Sequence, residues 1–465
     1  MTPVRELFQG QQGARWAVAA TSPGQRRARL KALLAALLAR RDEAHAALAA
    51  DFGKVPEEVD LAELYPLLAE LRGAIRHLDR WMRPGKAATP LGFTGSRAWV
   101  RQEPKGVVLI ISPWNYPLYL TLGPLISAIA AGNCAVLKPS EFTPHAAVFM
   151  KTLLAGLFPE TEVAVVTGAE AVARELLALP FDHIFFTGSP AVGRKVMVAA
   201  AEHLSSVTLE LGGKTPVLVD ADADLPMAAR RIAWGKFLNA GQTCVAPDYV
   251  LAHRAVHGRL VAELGRAVAA FYGGSEAERR RSPDYGRIVN GRHLERLRGL
   301  LEGSPGTVVM GGAWDAADNY FAPTLVTGVA EDAPLMREEI FGPILPVLEV
   351  PDLDAAVRFV NARPKPLALY VFTGRSAAAE AVIARTTAGG SCINDTVLQF
   401  AHPNLPGGGV NASGLGKAHG WHGFQAFSNA RGILRSRRWY SPAQLLYPPF
   451  TPRVRRLIRV VLRFF

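Results

Sequence analysis

The chain has 465 residues, 49% of them hydrophobic and 20% charged, a globular composition in a chain too long for one hydrophobic core. It has no signal-peptide pattern, and Gly, Pro or charged residues interrupt each apolar run before the roughly 18 residues that span a bilayer, which predicts a cytoplasmic protein. The net charge of +12 fits a solubilising surface, a nucleic-acid ligand or an anionic membrane; because no zinc finger, RNP run or helix-turn-helix accompanies it, we predict no nucleic-acid partner.

The first 80 residues are predicted to be helical. Ser22 followed by Pro23 is a typical helix start. Leucines then recur at the spacing of one helix face, in two sets: Leu30, Leu33, Leu34, Leu37 and Leu38, and later Leu64, Leu67, Leu68 and Leu71. Between residues 83 and 95, Pro and Gly interrupt the pattern, which indicates a linker or an excursion.

Strand-like and helix-like segments alternate after Pro104. The first block of predicted strands is 106–112, 134–140, 163–168 and 183–189, with helices at about 118–131 and from about 144. A second block begins near Thr215 and continues through 248–253, 343–350 and 367–374. The alternation predicts an α/β protein with two doubly wound parallel-sheet domains, the first Rossmann-like, that bind ligands at the carboxyl ends of their strands.

Cys244 is the central candidate for chemistry. The three cysteines, Cys134, Cys244 and Cys392, are isolated, which argues for a reducing compartment, and no Cys or His cluster has metal-ligand spacing, so we predict no metal site. Cys244 lies in NAGQTCVAPDYV (239–250), outside any apolar run. Free backbone N–H groups in such a turn lower a thiol pKa and hold an oxyanion. We interpret Cys244 as a nucleophile, with an inert buried thiol as the alternative.

Three further motifs lie within or at the ends of predicted strands. In FTGSPAVG (186–193), Ser189 is placed to cap a helix that binds phosphate, although an ordinary strand–helix turn fits equally well. In LKPSE (137–141), Lys138 and Glu141 are placed to bind ribose hydroxyls, with a surface ion pair as the alternative. In LELGGKTP (209–216), Glu210 lies inside an apolar strand, where burial raises a carboxyl pKa towards that of a general base; a satisfied structural acid is the alternative.

Seven ordered segments between about residues 20 and 435 resemble the aldehyde dehydrogenase superfamily. They are PWNYP (113–117), LKPSE (137–141), FTGS (186–189), LELGGKTP (209–216), GQTCVAP (241–247), EEIFGP (338–343) and SGLG (413–416). The chain is most similar to class 3, which acts on fatty and aromatic aldehydes. That closer likeness lies in RRIAWGKF (230–237), CVAPDYV (244–250), DYGRI (284–288) and KPLALYVF (365–372).

The resemblance implies a role for each motif residue in NAD(P)-dependent aldehyde oxidation. Cys244 is the expected nucleophile, Asn115 the oxyanion donor with the Cys244 N–H, and Glu210 the base that activates the hydrolytic water. The expected cofactor is NAD, with NADP also accepted. Its implied contacts are Lys138 and Glu141 at the adenosine ribose, Gly188, Ser189 and Gly193 at the pyrophosphate, and Glu339 and Phe341 at the nicotinamide end. Tyr116 and Trp234 are the expected walls of the substrate pocket.

The resemblance also predicts how the chain is divided. The expected parts are an NAD(P)-binding domain at 1–82 and 104–211, a catalytic domain at 212–423, a small β oligomerisation arm at 83–103 and 424–440, and a tail at 441–465. A homodimer is implied. Two positions depart from the family pattern: Pro190 replaces a Thr and removes a hydroxyl and an N–H near the phosphates, and Gly407 replaces a Phe, which is expected to widen the substrate entrance.

Two rival functions remain at this point. The first is an acylating enzyme, which would pass the acyl group to coenzyme A, but Glu210 argues for water as the acceptor. The second is a catalytically silent interaction protein, which conflicts with the intact Cys244, Glu210 and Asn115.

The tail RVRRLIRVVLRFF (453–465) has a basic amphipathic pattern. Its apolar face is Val454, Leu457, Ile458, Val461 and Phe465. The tail is too short to span a bilayer but suits a peripheral site on an anionic membrane, with a solvated terminus or a helix docked on a partner subunit as alternatives.

Overall fold

A computed structural model describes residues 2–464 of the chain. In chain order, the strands are β1 (Gly85–Ala87), β2 (Arg97–Pro104), β3 (Val107–Ile111), β4 (Cys134–Lys138), β5 (Val163–Val165), β6 (His183–Gly188), β7 (Ser206–Leu211), β8 (Pro216–Val219), β9 (Tyr249–His253), β10 (Thr307–Met310), β11 (Trp314–Asp315), β12 (Tyr320–Phe321), β13 (Thr324–Thr327), β14 (Ile344–Val350), β15 (Ala368–Phe372), β16 (Gly390–Ile393), β17 (Gly414–Leu415) and β18 (Ser428–Arg435).

The helices follow in the same order. They are α1 (Val4–Ala19), α2 (Pro23–Ala39), α3 (Arg41–Phe52), α4 (Pro56–Val59), α5 (Tyr65–Met82), α6 (Pro117–Ala131), α7 (Pro144–Ala155), α8 (Glu170–Leu177), α9 (Pro190–Ala201), α10 (Leu225–Phe237), α11 (His257–Tyr272), α12 (Glu276–Arg281), α13 (Gly291–Glu302), α14 (Pro334–Arg337), α15 (Leu353–Asn361), α16 (Ser376–Arg385), α17 (Leu398–Ala401), α18 (Gly420–Ala426) and α19 (Pro452–Phe464). A π-helical turn spans Asp60–Leu64, and 3₁₀ turns span Leu91–Phe93, Leu238–Gly241 and Pro442–Leu446.

The first sheet has the strand order β17-β7-β6-β3-β4-β5 and is parallel except for β17. Alternate residues of its central strand β3 point into two different cores: Val108 and Ile110 pack with α2, α5, α6 and α7, and Val107 and Leu109 pack with α1 on the opposite face. A strand buried on both faces reads as a continuous apolar run, which is why the sequence VVLII predicts it.

The second sheet has the order β10-β13-β14-β9-β8-β15-β16 and is parallel except for β10. A separate antiparallel sheet, β1-β2-β18, joins the region after α5 to the region after α18. The predicted fold class, two parallel-sheet domains of α/β type with a small β sheet, is confirmed. It brings the carboxyl ends of β3, β4, β6 and β7, which carry the motifs, to one edge of the first sheet.

Two details differ from the sequence prediction. The segment 212–423 was assigned to the catalytic domain, but β17 pairs with β7 of the first sheet, where Gly414 lies opposite Glu210, and α18 packs on α5 and α6. The last part of that segment therefore belongs structurally with the first sheet. In α2, Leu30, Leu33 and Leu37 are fully buried beneath a Ser22 capping box, but Leu38 is half exposed, since it lies at the edge of the apolar face.

The C-terminal tail forms α19, which packs on the Pro442–Leu446 turn. Val454, Leu457, Ile458 and Val461 are partly covered, whereas Arg455, Arg456 and Arg459 are exposed; Phe465 lies outside the described residues. Within residues 2–464, no helix has both the length and the apolar character required to cross a bilayer.

Candidate active site

The loop that carries Cys244 has an unusual backbone. Asn239, Ala240 and Gly241 all have positive φ angles, of 53°, 50° and 76°. A Cβ on Gly241 would collide with the carbonyl of Gly342, so this position needs glycine for both its backbone angle and its space. The fully buried Gln242 fixes the loop, because its amide donates to the Asn239 and Arg287 carbonyls and accepts from the Val289 N–H. The loop therefore holds Cys244 in one position.

Cys244 lies at the junction of two cavities. The first, which we call the catalytic cavity, has a volume of about 250 Å³. Its lining includes most of the catalytic and cofactor-binding residues predicted from the sequence: Asn115, Gly188, Ser189, Glu210, Cys244, Glu339 and Phe341. These residues come from the ends of β3, β6 and β7 and from loops of the second sheet, so the fold brings together groups up to 226 positions apart (115 to 341).

The second cavity, which we call the substrate channel, has a volume of about 320 Å³ and is lined almost wholly by apolar side chains. Tyr116 and Trp234, the two predicted walls, both line it. No sequence motif identified the other walls, which are Leu61, Ala62, Tyr65, Pro66, Tyr119, Leu120, Leu238, Thr243, Val245, Val397, Leu398, Phe400 and Ala401. Leu61 and Tyr65 are also more than 60% exposed, so the channel reaches the protein surface.

Asn115 is held by a buried charged network. Its side-chain amide donates to the Gln242 carbonyl at 3.0 Å, which leaves its second hydrogen for the cavity. Its backbone carbonyl accepts from Lys54 at 3.2 Å, and Lys54 pairs with Glu63 at 2.9 Å. The other oxygen of Glu63 accepts from the N–H groups of Leu118 and Tyr119, the first turn of α6. Lys54 and Glu63 have no exposed side-chain surface, so this buried pair fixes the backbone of Asn115.

Burial determines the protonation of Cys244. Desolvation raises the pKa of the Cys244 thiol well above its ordinary value; the negative charges of Glu339 and Glu210 raise it further, while the backbone N–H groups of Cys244 and Val245 oppose the change. The sequence had predicted the opposite direction from the turn alone. The prediction was wrong because the two neighbouring carboxylates and the burial outweigh the N–H groups, so the thiol needs a base to lose its proton.

The two carboxyl groups of the cavity also hold protons more readily than usual. Burial raises the pKa of Glu210, although the charges of His419 and Lys417 oppose the rise. Burial and the charge of Asp248 raise the pKa of Glu339 to about 8. A carboxyl group with such a pKa is suited to accept and return protons near neutral pH.

The residues predicted to contact the cofactor lie in three places. Ser189 caps α9 through a hydrogen bond from the Val192 N–H, and a Cβ on Gly193 would lie 2.6 Å from the Leu211 side chain, so the glycine allows α9 to pack closely on β7. Lys138 and Glu141 form an ion pair of 2.9 Å after β4, outside the lining of the catalytic cavity.

Glu339 completes the set, and its carboxyl group lies against Gly212, the residue that directly follows β7. Its buried Oε1 has no hydrogen-bond partner among the described residues. A helix N-terminus, a Lys–Glu pair and a carboxylate oxygen without a partner are chemically suited to the phosphates and ribose hydroxyls of a dinucleotide. Within residues 2–464, no three His, Cys, Asp or Glu side chains are grouped as metal ligands.

Gly407 does not widen the substrate entrance, contrary to the sequence prediction. Gly407 is buried and is absent from the lining of the substrate channel. A Cβ at Gly407 would collide with Cδ2 and Nε2 of His419, so the imidazole occupies the space that a larger residue would need. The sequence could not reveal this contact, because a substitution pattern does not identify which neighbour fills the space.

Comparisons with known proteins agree with this geometry. The family model described as the aldehyde dehydrogenase family matches residues 4–433. A rat (Rattus norvegicus) protein described as aldehyde dehydrogenase family 3 member B1 is 45% identical over 94% of this chain and 92% of its own length. Another rat protein, described as the dimeric NADP-preferring aldehyde dehydrogenase, is 44% identical over 83% of this chain and 84% of its own length.

A solved structure described as the substrate-bound state of Staphylococcus aureus AldH has a TM-score of 0.94 and 40% identity, covering 99% of this chain and 100% of that one. The predicted resemblance to class 3 is thereby confirmed. The protein is an oxidoreductase that converts aldehydes to carboxylic acids with NAD(P). Motifs, fold and comparisons agree that the chain belongs to the aldehyde dehydrogenase family.

Proposed function

We propose that this chain oxidises medium- or long-chain aliphatic or aromatic aldehydes, with Cys244 as the covalent nucleophile. The position of Cys244 between the two cavities carries the proposal. The catalytic cavity holds the polar groups of Asn115, Glu210 and Glu339, whereas the substrate channel is apolar and aromatic. An apolar aldehyde in the channel meets the thiol at its carbonyl end, with its chain surrounded by side chains that exclude water.

The first half of the proposed reaction forms a thioester on Cys244. Burial raises the pKa of the thiol, so its proton passes to the carboxylate of Glu339, the other acidic residue of the cavity, as Sγ bonds to the carbonyl carbon. The free hydrogen of the Asn115 amide and the Cys244 N–H hold the resulting oxyanion. Bound NAD(P)⁺ supplies the acceptor for the hydride that leaves this carbon.

The second half releases the acid. Glu210, as the carboxylate, takes a proton from a water molecule whose oxygen attacks the thioester carbon. The carbon–sulfur bond then breaks, the carboxylic acid leaves, and the sulfur of Cys244 takes back the proton that Glu339 received in the first half. Replacement of Glu210 by Gln is therefore expected to allow acyl-enzyme formation but to block hydrolysis, which leaves one NADH per active site.

The proposed cofactor contacts follow the three places described above. Lys138 and Glu141 bind the adenosine ribose, the turn with Gly188 and Ser189 binds the pyrophosphate, and Glu339 accepts from a nicotinamide ribose hydroxyl beside Phe341. The Lys138 contact gives Glu141 a carboxylate pKa below its usual range despite partial burial, and its charge repels a 2′-phosphate. We therefore infer that NAD is accepted. Because the class 3 likeness implies that NADP is accepted too, and a class 3 relative is described as NADP-preferring, we infer that the preference for NAD is modest.

An initial-rate panel tests the substrate class. Each methylene buried in the channel contributes about 0.8 kcal/mol, so kcat/KM is expected to rise with chain length until the channel is filled. Aromatic aldehydes should react well, and small polar aldehydes poorly. The same panel with and without coenzyme A separates hydrolysis from acyl transfer. A strict requirement for coenzyme A, or a preference for small polar aldehydes, contradicts the proposal.

We also propose that the β1-β2-β18 sheet is an oligomerisation arm that pairs two copies of the chain. β2 lies at the centre of this sheet, so β1 and β18 are its two edges, and most of β18 is exposed. An unpaired, exposed edge strand is suited to pairing with a second copy. Light scattering is expected to give a homodimer, and a monomer or a tetramer as the main species contradicts this assignment.

The proposed site of action is a cytoplasmic membrane surface, reached through 453–465. The arginines of α19 lie on the exposed side, and several apolar residues of the C-terminal segment are at least half exposed, including Trp439, Tyr447, Phe450 and Leu462. Each arginine near an anionic surface contributes about 1 kcal/mol. Full-length protein should sediment with anionic but not neutral vesicles, and a chain ending at Thr451 should lose this behaviour. Equal sedimentation of the two chains on anionic vesicles contradicts the proposal.

A further inference from the structure

A third, much smaller cavity lies beside Glu210. We call it the back cavity; it has a volume of about 20 Å³, and its polar lining residues are Glu70, Tyr119, Ser127, Thr187, Glu210 and His419. Glu210 and Thr187 also line the catalytic cavity, so these two residues form part of the wall between the two spaces. The base proposed for thioester hydrolysis therefore contacts a second compartment that does not include Cys244.

Three buried polar atoms belong to residues that line this cavity and have no hydrogen-bond partner among the described residues. They are Oε1 of Glu210, Oγ1 of Thr187 and Nε2 of His419. Buried polar atoms are rarely left without partners, because their desolvation is then uncompensated. A space of about 10–15 Å³ or more with two to four polar neighbours holds one water molecule. The volume and the chemistry of the back cavity meet both conditions.

The structure fixes the orientation of His419. Its Nδ1 contacts Glu70 Oε1 at 2.8 Å and the Tyr119 hydroxyl at 3.1 Å, and the other Glu70 oxygen accepts from the Gly420 N–H at 3.0 Å. Because Nδ1 is hydrogen-bonded to Glu70, Nε2 is the ring nitrogen that is available to another hydrogen-bond partner. Gly407 leaves room for this imidazole position, and no other residue type at 407 would.

We propose that one water molecule in the back cavity bridges Nε2 of His419 and Oε1 of Glu210, so that the His419–Glu70 pair donates a hydrogen bond towards Glu210 and keeps it ionised as the hydrolytic base. His419 is thus a positioning residue that acts on the reaction through Glu210. The inference rests on the proposed function, since it assigns a partner to the base of thioester hydrolysis.

The charges around Glu210 support this direction. Burial raises the pKa of Glu210, and the charge of Glu70 adds to the rise. The charge of His419, and to a smaller extent that of Lys417, lowers this pKa. The other titratable neighbours of Glu210 are Cys244 and Tyr119. Burial lowers the pKa of His419, but the hydrogen bond and charge of Glu70, with the charge of Glu210, raise it above its ordinary value. A positive charge on His419 near Glu210 favours the carboxylate form.

The test measures the two halves of the reaction separately. In His419→Leu, the apparent pKa of steady-state turnover is expected to rise by about one pH unit, so turnover at neutral pH falls about tenfold. The rate of the NADH burst should stay within about twofold of wild type, because acylation does not use Glu210's link to His419, and turnover should recover at high pH. Gly407→Ala, which displaces the imidazole without removing it, should shift the profile in the same direction.

His183→Gln is the matched control, because His183 is also buried in the first sheet but bonds to Lys105, Ser206 and Thr208. It is expected to leave the pH profile unchanged. An unchanged profile in both His419→Leu and Gly407→Ala overturns the inference, and so does an equal loss of burst and turnover at every pH in folded protein. Normal turnover in Glu210→Gln contradicts the assignment of Glu210 as the hydrolytic base. If Glu210→Gln instead stops after one NADH per active site while His419→Leu behaves as wild type, the base assignment stands and only the role of His419 fails.

Discussion

Replacement of Lys54 by Met is expected to destabilise the protein far more than the loss of a surface ion pair. Lys54 and Glu63 lie 2.9 Å apart, and both side chains are fully buried. Removal of one partner from a buried pair costs about 3–5 kcal/mol, since the remaining charge stays in the interior without compensation. In the wild type, the Lys54 ammonium group lies 4.1 Å from the centre of the Tyr116 ring. Met has a similar volume to Lys, so the variant keeps an apolar side chain beside this ring.

The pH dependence of this deficit has a defined sign. Burial raises the pKa of Glu63, and Lys54 is the largest influence that lowers it, so the pKa rises further in Lys54→Met. Folded protein then binds a proton that the unfolded chain releases above a pH of about 4.3. Since the unfolded state binds fewer protons, stability falls as the pH rises from that value to the raised pKa of Glu63. The deficit of the variant is therefore larger under alkaline than under mildly acidic conditions.

Denaturant unfolding and steady-state kinetics measure the two consequences. The free energy of unfolding should fall by about 3–5 kcal/mol, and kcat should fall by up to about 10²-fold, because Asn115 loses its support as an oxyanion donor. Lys54→Met with Glu63→Gln should recover part of both, since a neutral amide oxygen still accepts from α6. The matched control is Arg174→Met, which breaks an exposed pair with Glu170 and should cost less than about 1 kcal/mol. A change below about 1 kcal/mol in Lys54→Met refutes the reasoning.

Four further predictions concern the reaction. Cys244→Ala should abolish aldehyde oxidation while NAD binding, measured by calorimetry, is retained. Alkylation of Cys244 by iodoacetamide should be slow at neutral pH and accelerate as the pH rises, because burial raises the thiol pKa; fast alkylation at neutral pH contradicts this. Glu141→Gln should increase kcat/KM with NADP relative to NAD, since a negative charge is removed from the proposed ribose site. Gly193→Ala should raise KM for NAD more than it lowers kcat, because the added methyl group pushes α9 away from Leu211.

The sequence predicted the fold and most of the catalytic cavity because both depend on local patterns. Buried parallel strands read as apolar runs, and the residues directly after them, such as Gly188 and Ser189, converge at one sheet edge whatever the details of packing. The direction of the Cys244 pKa was not predictable, since it depends first on burial in the folded protein and then on the charge of Glu339, 95 positions away (244 to 339). Lys54, Glu63 and His419 lie within or beside helices, where a charged residue reads as solvated unless its tertiary partner is known.

The junction at Cys244 has a consequence for the traffic of molecules through the enzyme. The acid product forms with its chain in the substrate channel, which reaches the surface beside Leu61 and Tyr65. The nicotinamide end of the proposed nucleotide site lies in the catalytic cavity, which meets the channel at the same sulfur atom. If the two products occupy these separate cavities, neither lies in the other's path, and we expect them to be released in either order. An electrophile carried on an apolar chain would likewise reach the thiol through the channel while a nucleotide remains bound.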